Sequence, residues 1–287
     1  MFVAFLFISV VVGNVFMESS FRRVPEITER QYGTRKTYML FDPCNTNKPG
    51  NRTISCSQIK MRERSSTLTK YKINPLGTPV DAACDMETDG GGWTVIQRRT
   101  EYEAYDNNFE KKERDYERGF TTQGGALWIG NQILHVLTSF PDNQQVLRIE
   151  LTRKGQRPTV VYYNKFRVGS EKEKYKLTIG DYQGPPGYDA LSYHNGAEFT
   201  IKESMTQSPD KDKCSDRLSG GWWFRTCNEA NLNGRKFKSP SAIRALGITW
   251  HIEDKPESYK YIYDRVEMKI RDKDFGFCTG ALKFKIR

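Results

Sequence analysis

Apolar residues fall along the chain in short alternating runs bounded by Gly, Pro, Asn and Asp, a pattern that predicts strands more often than helices. Trp93–Gln97 follows the triplet Gly90-Gly91-Gly92 and is rich in aromatic and β-branched residues, which predicts a strand. Gln145–Leu151 alternates through Leu147, Ile149 and Leu151, and residues 160–168 read as a second strand. Tyr175, Leu177 and Ile179 mark a half-buried antiparallel strand that ends at Gly184-Pro185-Pro186-Gly187. Residues 126–129 and 132–137 predict a short helix with Asn131 as its cap. Ile248–Ile252 and the alternating Val266, Met268 and Ile270 predict strands near the C-terminus.

Residues 187–243 carry almost no regular pattern. So long an irregular stretch inside a compact domain is usually functional, or held by something other than secondary structure. Cys214 and Cys227 lie within it. A bridge between them closes a loop of about 14 residues, worth roughly 3 kcal/mol in the chain-entropy model. At the other end, residues 2–12 form an unbroken apolar run, too short for the roughly 20 residues of a membrane-spanning helix. It suits the apolar region of a signal peptide, although no Lys or Arg precedes it; a buried N-terminal strand is the alternative. No later segment is apolar enough to span a membrane. Residues 14–43 lack apolar periodicity, heptads and G-X-Y repeats. The expected organisation is a signal peptide (1–19), a basic linker (20–46), one globular domain (47–272) and a tail (273–287).

The chain has 287 residues, enough to bury a core, and a net charge of +10. Residues 18–83 hold twelve Lys or Arg against six Asp or Glu, a local excess that attracts sulfated glycans and anionic surfaces if it is not simply a solvated face. Six cysteines at 44, 56, 84, 214, 227 and 278, with no C-x-x-C pair, predict three disulfides in an extracellular protein. Their spacing does not choose among 15 pairings. Asn51-Arg52-Thr53 is an N-glycosylation acceptor.

Seven ordered segments carry a resemblance. They begin with residues 84–99, CDMETDGGGWTVIQRR, followed by LWIGN at 127–131 and FRVGSEKEKYKL at 166–177. LSYHNG at 191–196, GGWWF at 220–224, Cys227 with NLNG at 231–234, and VEMKIR at 266–271 complete the set. Together they resemble the fibrinogen-related domain family of ficolins, techylectins and angiopoietin-like proteins. The resemblance implies an α+β fold: a central antiparallel sheet with short helices, and a loop-rich C-terminal lobe, disulfide-bonded. It implies the pairs Cys56–Cys84 and Cys214–Cys227. Cys44 and Cys278 are extra to that pattern and join each other within the chain, the favoured reading, or bridge between chains.

The resemblance also implies a calcium site before Cys214 and a ligand pocket beside Cys227. The family's acidic calcium positions fall on Met205 and Gln207, so the candidate metal ligands are the displaced pair Asp210 and Asp212, which rebuild the site or, the favoured reading, belong to a solvated Lys/Asp loop. In acetyl-binding members the bond before the fourth cysteine is cis, here Thr226–Cys227, and the pocket His is replaced by Asn228. Candidate ligand-binding residues are Phe224, Arg225, Thr226, Cys227, Asn228, Phe237, Tyr261 and Tyr263. Trp222 and Trp223 are expected to be structural. The Trp-Trp-Phe-x-Thr-Cys run is closer to angiopoietin-like relatives than to ficolins.

No H-E-x-x-H, G-x-S-x-G or P-loop occurs, and none of His135, His194 and His251 falls in a catalytic spacing. The expectation is a secreted, extracellular, non-catalytic protein with lectin-like binding of acetylated or anionic glycans in innate immunity. An angiopoietin-like ligand of a protein receptor is the alternative. The partner is a glycan or cell-surface receptor, with avidity from a homo-oligomer, and neither nucleic acid nor a membrane span is involved.

Overall fold

A computed structural model describes residues 28–32, 35–39, 44, 54–104, 109–139, 144–202 and 218–280. The molecule divides into two compact units, Met1–Pro43 and Cys44–Arg287. In the first, β1 (Thr28–Tyr32) and β2 (Arg35–Met39) form an antiparallel hairpin in register from Thr28↔Met39 to Tyr32↔Arg35. The expected linker therefore holds regular structure. The polar strands show no apolar alternation that would mark them in the sequence.

The second unit runs through α1 (Cys56–Arg62), β3 (Lys70–Ile73), β4 (Val80–Asp85) and β5 (Trp93–Arg99). Then come α2 (Glu113–Arg118), β6 (Phe120–Thr121), β7 (Leu127–Trp128) and α3 (Asn131–Thr138). The long strands β8 (Gln145–Arg153), β9 (Thr159–Val168) and β10 (Leu177–Gln183) precede the lobe. Strand β15 (Tyr263–Asp272) returns to the sheet and is followed by α4 (Phe275–Thr279). The antiparallel sheet has the order β10-β9-β8-β15-β5-β4-β3, with β7 and β6 attached at β5.

Strand alternation gives this sheet two unlike faces. Leu147, Ile149 and Leu151 of β8 join Val266, Met268 and Ile270 of β15 in the main core, with Ile133, Leu134 and Leu137 of α3. Residues of opposite parity carry charge. Lys269 is 1 % exposed, yet its ammonium lies 2.6 Å from Asp85, 3.2 Å from Glu267 and 3.4 Å from Glu150. Those carboxylates outweigh the desolvation of burial and raise its pKa.

The sequence places residues 126–129 in a helix; the structure makes 127–128 the strand β7, and α3 starts at Asn131. Gly130 separates them with φ +105°, and a Cβ there would sit 2.7 Å from the Arg118 carbonyl carbon. Asn131 does not cap the helix; its Oδ1 accepts from the Trp128 indole.

Among the described residues of 187–262, the named strands form only two-residue pairings: β11 (Thr200–Ile201) with β12 (Gly221–Trp222), and β13 (Ala230–Asn231) with β14 (Thr249–Trp250). The strand expected over 248–252 shrinks to β14. Buried amides replace the missing ladders. Asn231 donates to Ser219 O, Asn233 donates to Gly221 O, and Gln97 of β5 donates to Leu232 O. Cys44–Cys278 and Cys56–Cys84 are disulfide bonds within the molecule.

Candidate functional site

The bend at residues 225–228 is held from beneath by His194. Its Nε2 accepts the backbone N–H groups of Ala230 (2.9 Å) and Glu229 (3.2 Å). With Nε2 accepting, the proton sits on Nδ1, which donates to Trp223 O at 2.7 Å. The imidazole thus spans both sides of the bend. Its burial holds the pKa down at about 4. Trp222 and Trp223 are fully buried beside it, and the Trp223 indole donates to Tyr175 O. Cys227 is disulfide-bonded, and Cys214 lies outside the described residues.

A second anchor joins the lobe to the sheet. Arg99 of β5 is buried against Glu103 at 3.0 Å and donates to Leu232 O and Gly234 O. Lys236, also buried, donates to Thr100 O and Asp264 O. Two cations share one carboxylate here, and burial lowers the pKa of both.

The surface over this frame carries two guanidinium–tyrosine pairs. Arg225 is exposed, lies 5.9 Å from the Tyr193 ring centroid and donates to Tyr193 O at 3.2 Å. Arg244 lies 3.9 Å over the Tyr259 ring, whose other neighbour is the stacked His251 at 4.6 Å. Tyr193 directly precedes His194, and the His251 backbone N–H donates to Glu229 O at 2.7 Å, so both pairs flank the same bend. The close ring contact orients the Arg244 guanidinium and the bond to Tyr193 O orients that of Arg225, and N–H groups not used in these contacts suit an oxyanion.

The sequence-predicted residues do not converge on one pocket. Phe224 is in the core, Arg225 and Thr226 are exposed, and Cys227 is half-buried. Asn228 is 3 % exposed, and its side chain has no hydrogen-bond partner among the described residues. Phe237, Tyr261 and Tyr263 line a cleft that does not include residues 224–228 and that meets the Arg244 pair only through Tyr259. Its free volume is about 20 Å³, near what one water needs. Thr226–Cys227 is trans, unlike the expectation carried over from acetyl-binding members. An exposed bend offers little packing to offset the roughly 3–4 kcal/mol of a cis non-proline bond. Asn51, Met205, Gln207, Asp210, Asp212 and the signal peptide lie outside the described residues. Sequence reasoning misses Tyr193, Arg244, His251 and Tyr259. Tyr193 sits inside the LSYHNG motif, whereas the others carry no sequence signal, because only the fold stacks them. Among the described residues, no helix is long and apolar enough to cross a membrane.

Residues 53–273 match the family model of the fibrinogen beta and gamma chains, C-terminal globular domain. Ryncolin-4 of Cerberus rynchops is 39% identical over 211 residues, covering 73% of this chain and 59% of that protein. Angiopoietin-related protein 7 of Homo sapiens is 37% identical over 210 residues, covering 71% and 58%. The chain thus spans less than two thirds of these relatives. The fibrinogen-like globe domain of human ANGPTL6 superposes with a TM-score of 0.64 at 27% identity, covering 77% of this chain and 97% of that one. The lamprey fibrin D-dimer, complexed with the peptide Gly-His-Arg-Pro-amide, shares the fold with a TM-score of 0.63 at 22% identity, covering 92% and 83%.

Proposed function

The protein belongs to the family of the fibrinogen beta and gamma chains, C-terminal globular domain, and from that premise we propose a secreted, non-catalytic recognition protein whose C-terminal lobe binds acetylated or anionic glycans. The observation that carries this reading is the pair of guanidinium groups beside tyrosines, Arg244 3.9 Å over the Tyr259 ring and Arg225 bonded to Tyr193 O with its guanidinium 5.9 Å from that ring's centroid. Guanidinium planes fit a carboxylate or sulfate, and the half-buried tyrosine and histidine rings offer flat faces to a sugar. His194 keeps the bend in one shape, so little ordering entropy is lost on binding. Single sites of this kind are weak, and a homo-oligomer supplies the avidity.

A protein receptor is the second reading. The nearly filled cleft lined by Phe237, Tyr259 and Tyr261 favours it, because a shallow site suits a protein partner better than a small sugar. The relatives include both a ryncolin and angiopoietin-related proteins, and their names favour neither reading.

The test is calorimetric titration with a sialylated oligosaccharide, which carries both an N-acetyl group and a carboxylate. Wild type binds, and Arg225→Ala/Arg244→Ala binds at least about tenfold more weakly with unchanged thermal stability, since loss of a charge-assisted hydrogen bond costs about 1.5–3 kcal/mol. Silence on sugars combined with saturable, Arg225-dependent binding to cells supports the receptor. Glycan binding indifferent to both arginines overturns the placement of the site.

A further inference from the structure

We propose a second binding site, on the α1–β3 segment, for a sulfated glycosaminoglycan. It goes beyond the Cys227-bend reading and does not depend on it. The basic excess of the sequence becomes a specific surface here. Residues 60–72 carry Lys60, Arg62, Arg64, Lys70 and Lys72 against one acid, Glu63. Arg62 and Arg64 line an open depression of about 690 Å³ together with Glu63, Leu68 and Tyr71, and Lys60, Lys70 and Lys72 belong to the same segment outside that lining.

Internal pairing leaves the groove positive. Glu63 is engaged within the segment: it accepts from the Ser66 hydroxyl at 3.3 Å and pairs with Arg62 at 3.4 Å. Lys60 closes the turn by donating to Ser66 O at 2.8 Å. Lys72 pairs across the strands with Asp81 at 2.6 Å. Among the described residues, Arg64 and Lys70 pair with no carboxylate, and both are exposed. The backbone beneath is firm. The Cys56–Cys84 disulfide ties α1 to β4, and β3 ends the strand order of the sheet.

Charge and shape favour one occupant. An open surface depression contacts one stretch of a linear polymer without having to enclose it. Arginine forks match sulfate oxygens. Leu68, 65 % exposed at the rim, offers apolar contact to a sugar face. A polyanion that loses its condensed counterions to these cations binds with a steep salt dependence.

The test uses the full-length protein and a heparin oligosaccharide, titrated across salt concentrations. The site triple variant is Arg62→Gln/Arg64→Gln/Lys70→Gln. The charge-matched control is Arg157→Gln/Lys165→Gln/Lys172→Gln, three exposed cations elsewhere. At about 150 mM salt the site triple is expected to bind roughly tenfold or more weakly with a shallower salt slope, while the control stays within about twofold of wild type. Arg225→Ala/Arg244→Ala is expected to retain heparin binding, which separates failure of this proposal from failure of the bend reading. Equal weakening by both triples means general attraction to net charge and overturns the site. So does unchanged binding by the site triple. Tighter binding to anionic phospholipid vesicles than to heparin, lost in the site triple, assigns the groove to a membrane surface and also overturns it.

Discussion

Protonation of His194 should unlock the bend, and the structure sets the size of the effect. In the folded state the imidazole is neutral, with Nε2 facing two backbone N–H donors. A proton on Nε2 would place N–H against N–H inside the lobe. Burial lowers the pKa from 6.5 to about 4. The unfolded state therefore binds this proton at higher pH than the folded state does, and stability falls as pH falls. The stabilisation is fully present above about pH 6.5 and is lost on the way to about 4. Linkage gives a loss of about 2 kcal/mol at pH 5 and about 3 kcal/mol at pH 4, relative to neutral pH. The assay is urea unfolding of wild type and His194→Gln from pH 7 to pH 4. Carboxylates titrate alike in both proteins and cancel in the difference. Wild type should be the more stable at pH 7, and its advantage should shrink by about 3 kcal/mol by pH 4. Parallel curves, or an imidazole that titrates near 6.5 in the folded protein by NMR, would refute the clamp.

Two further perturbations test the frame. Glu103→Ala leaves Arg99 and Lys236 buried without their anion and should cost about 3–5 kcal/mol in chemical denaturation; a change under about 1 kcal/mol would mean that water already screens the cluster. Gly91→Ala places a Cβ 2.2 Å from Met86 O at φ +82°, and it should lower the yield of folded protein or cost more than about 2 kcal/mol; a variant as stable as wild type would show that this turn relaxes freely.

What the sequence could reveal followed from periodicity. Leu147, Ile149 and Leu151, with Val266, Met268 and Ile270, announce the inner face of the sheet because a strand repeats every two residues. The same alternation places Glu267 and Lys269 opposite, but nothing local says that Lys269 is buried among three carboxylates brought from β4, β8 and its own strand. Leu127–Trp128 is too short to show a period, so it merges with the helix that follows. The β1–β2 hairpin is polar, and no apolar face marks it. In the lobe, the ordered motifs locate the Cys227 bend, yet the surface over it arises from contacts between residues distant in sequence. Arg244 meets Tyr259, and Arg225 meets Tyr193, only after the protein is folded. The pocket expected from Phe224, Phe237, Tyr261 and Tyr263 fails for a related reason. Volume is set by how neighbouring side chains fill space, and composition does not encode that.

Hydrogen exchange of the whole protein, with and without a saturating sialylated oligosaccharide, tests the central claim most directly. Slowed exchange should be confined to the segments around Tyr193, Arg225–Glu229 and Arg244–Tyr259. Protection that leaves those backbone amides untouched and appears elsewhere on the domain would contradict the account.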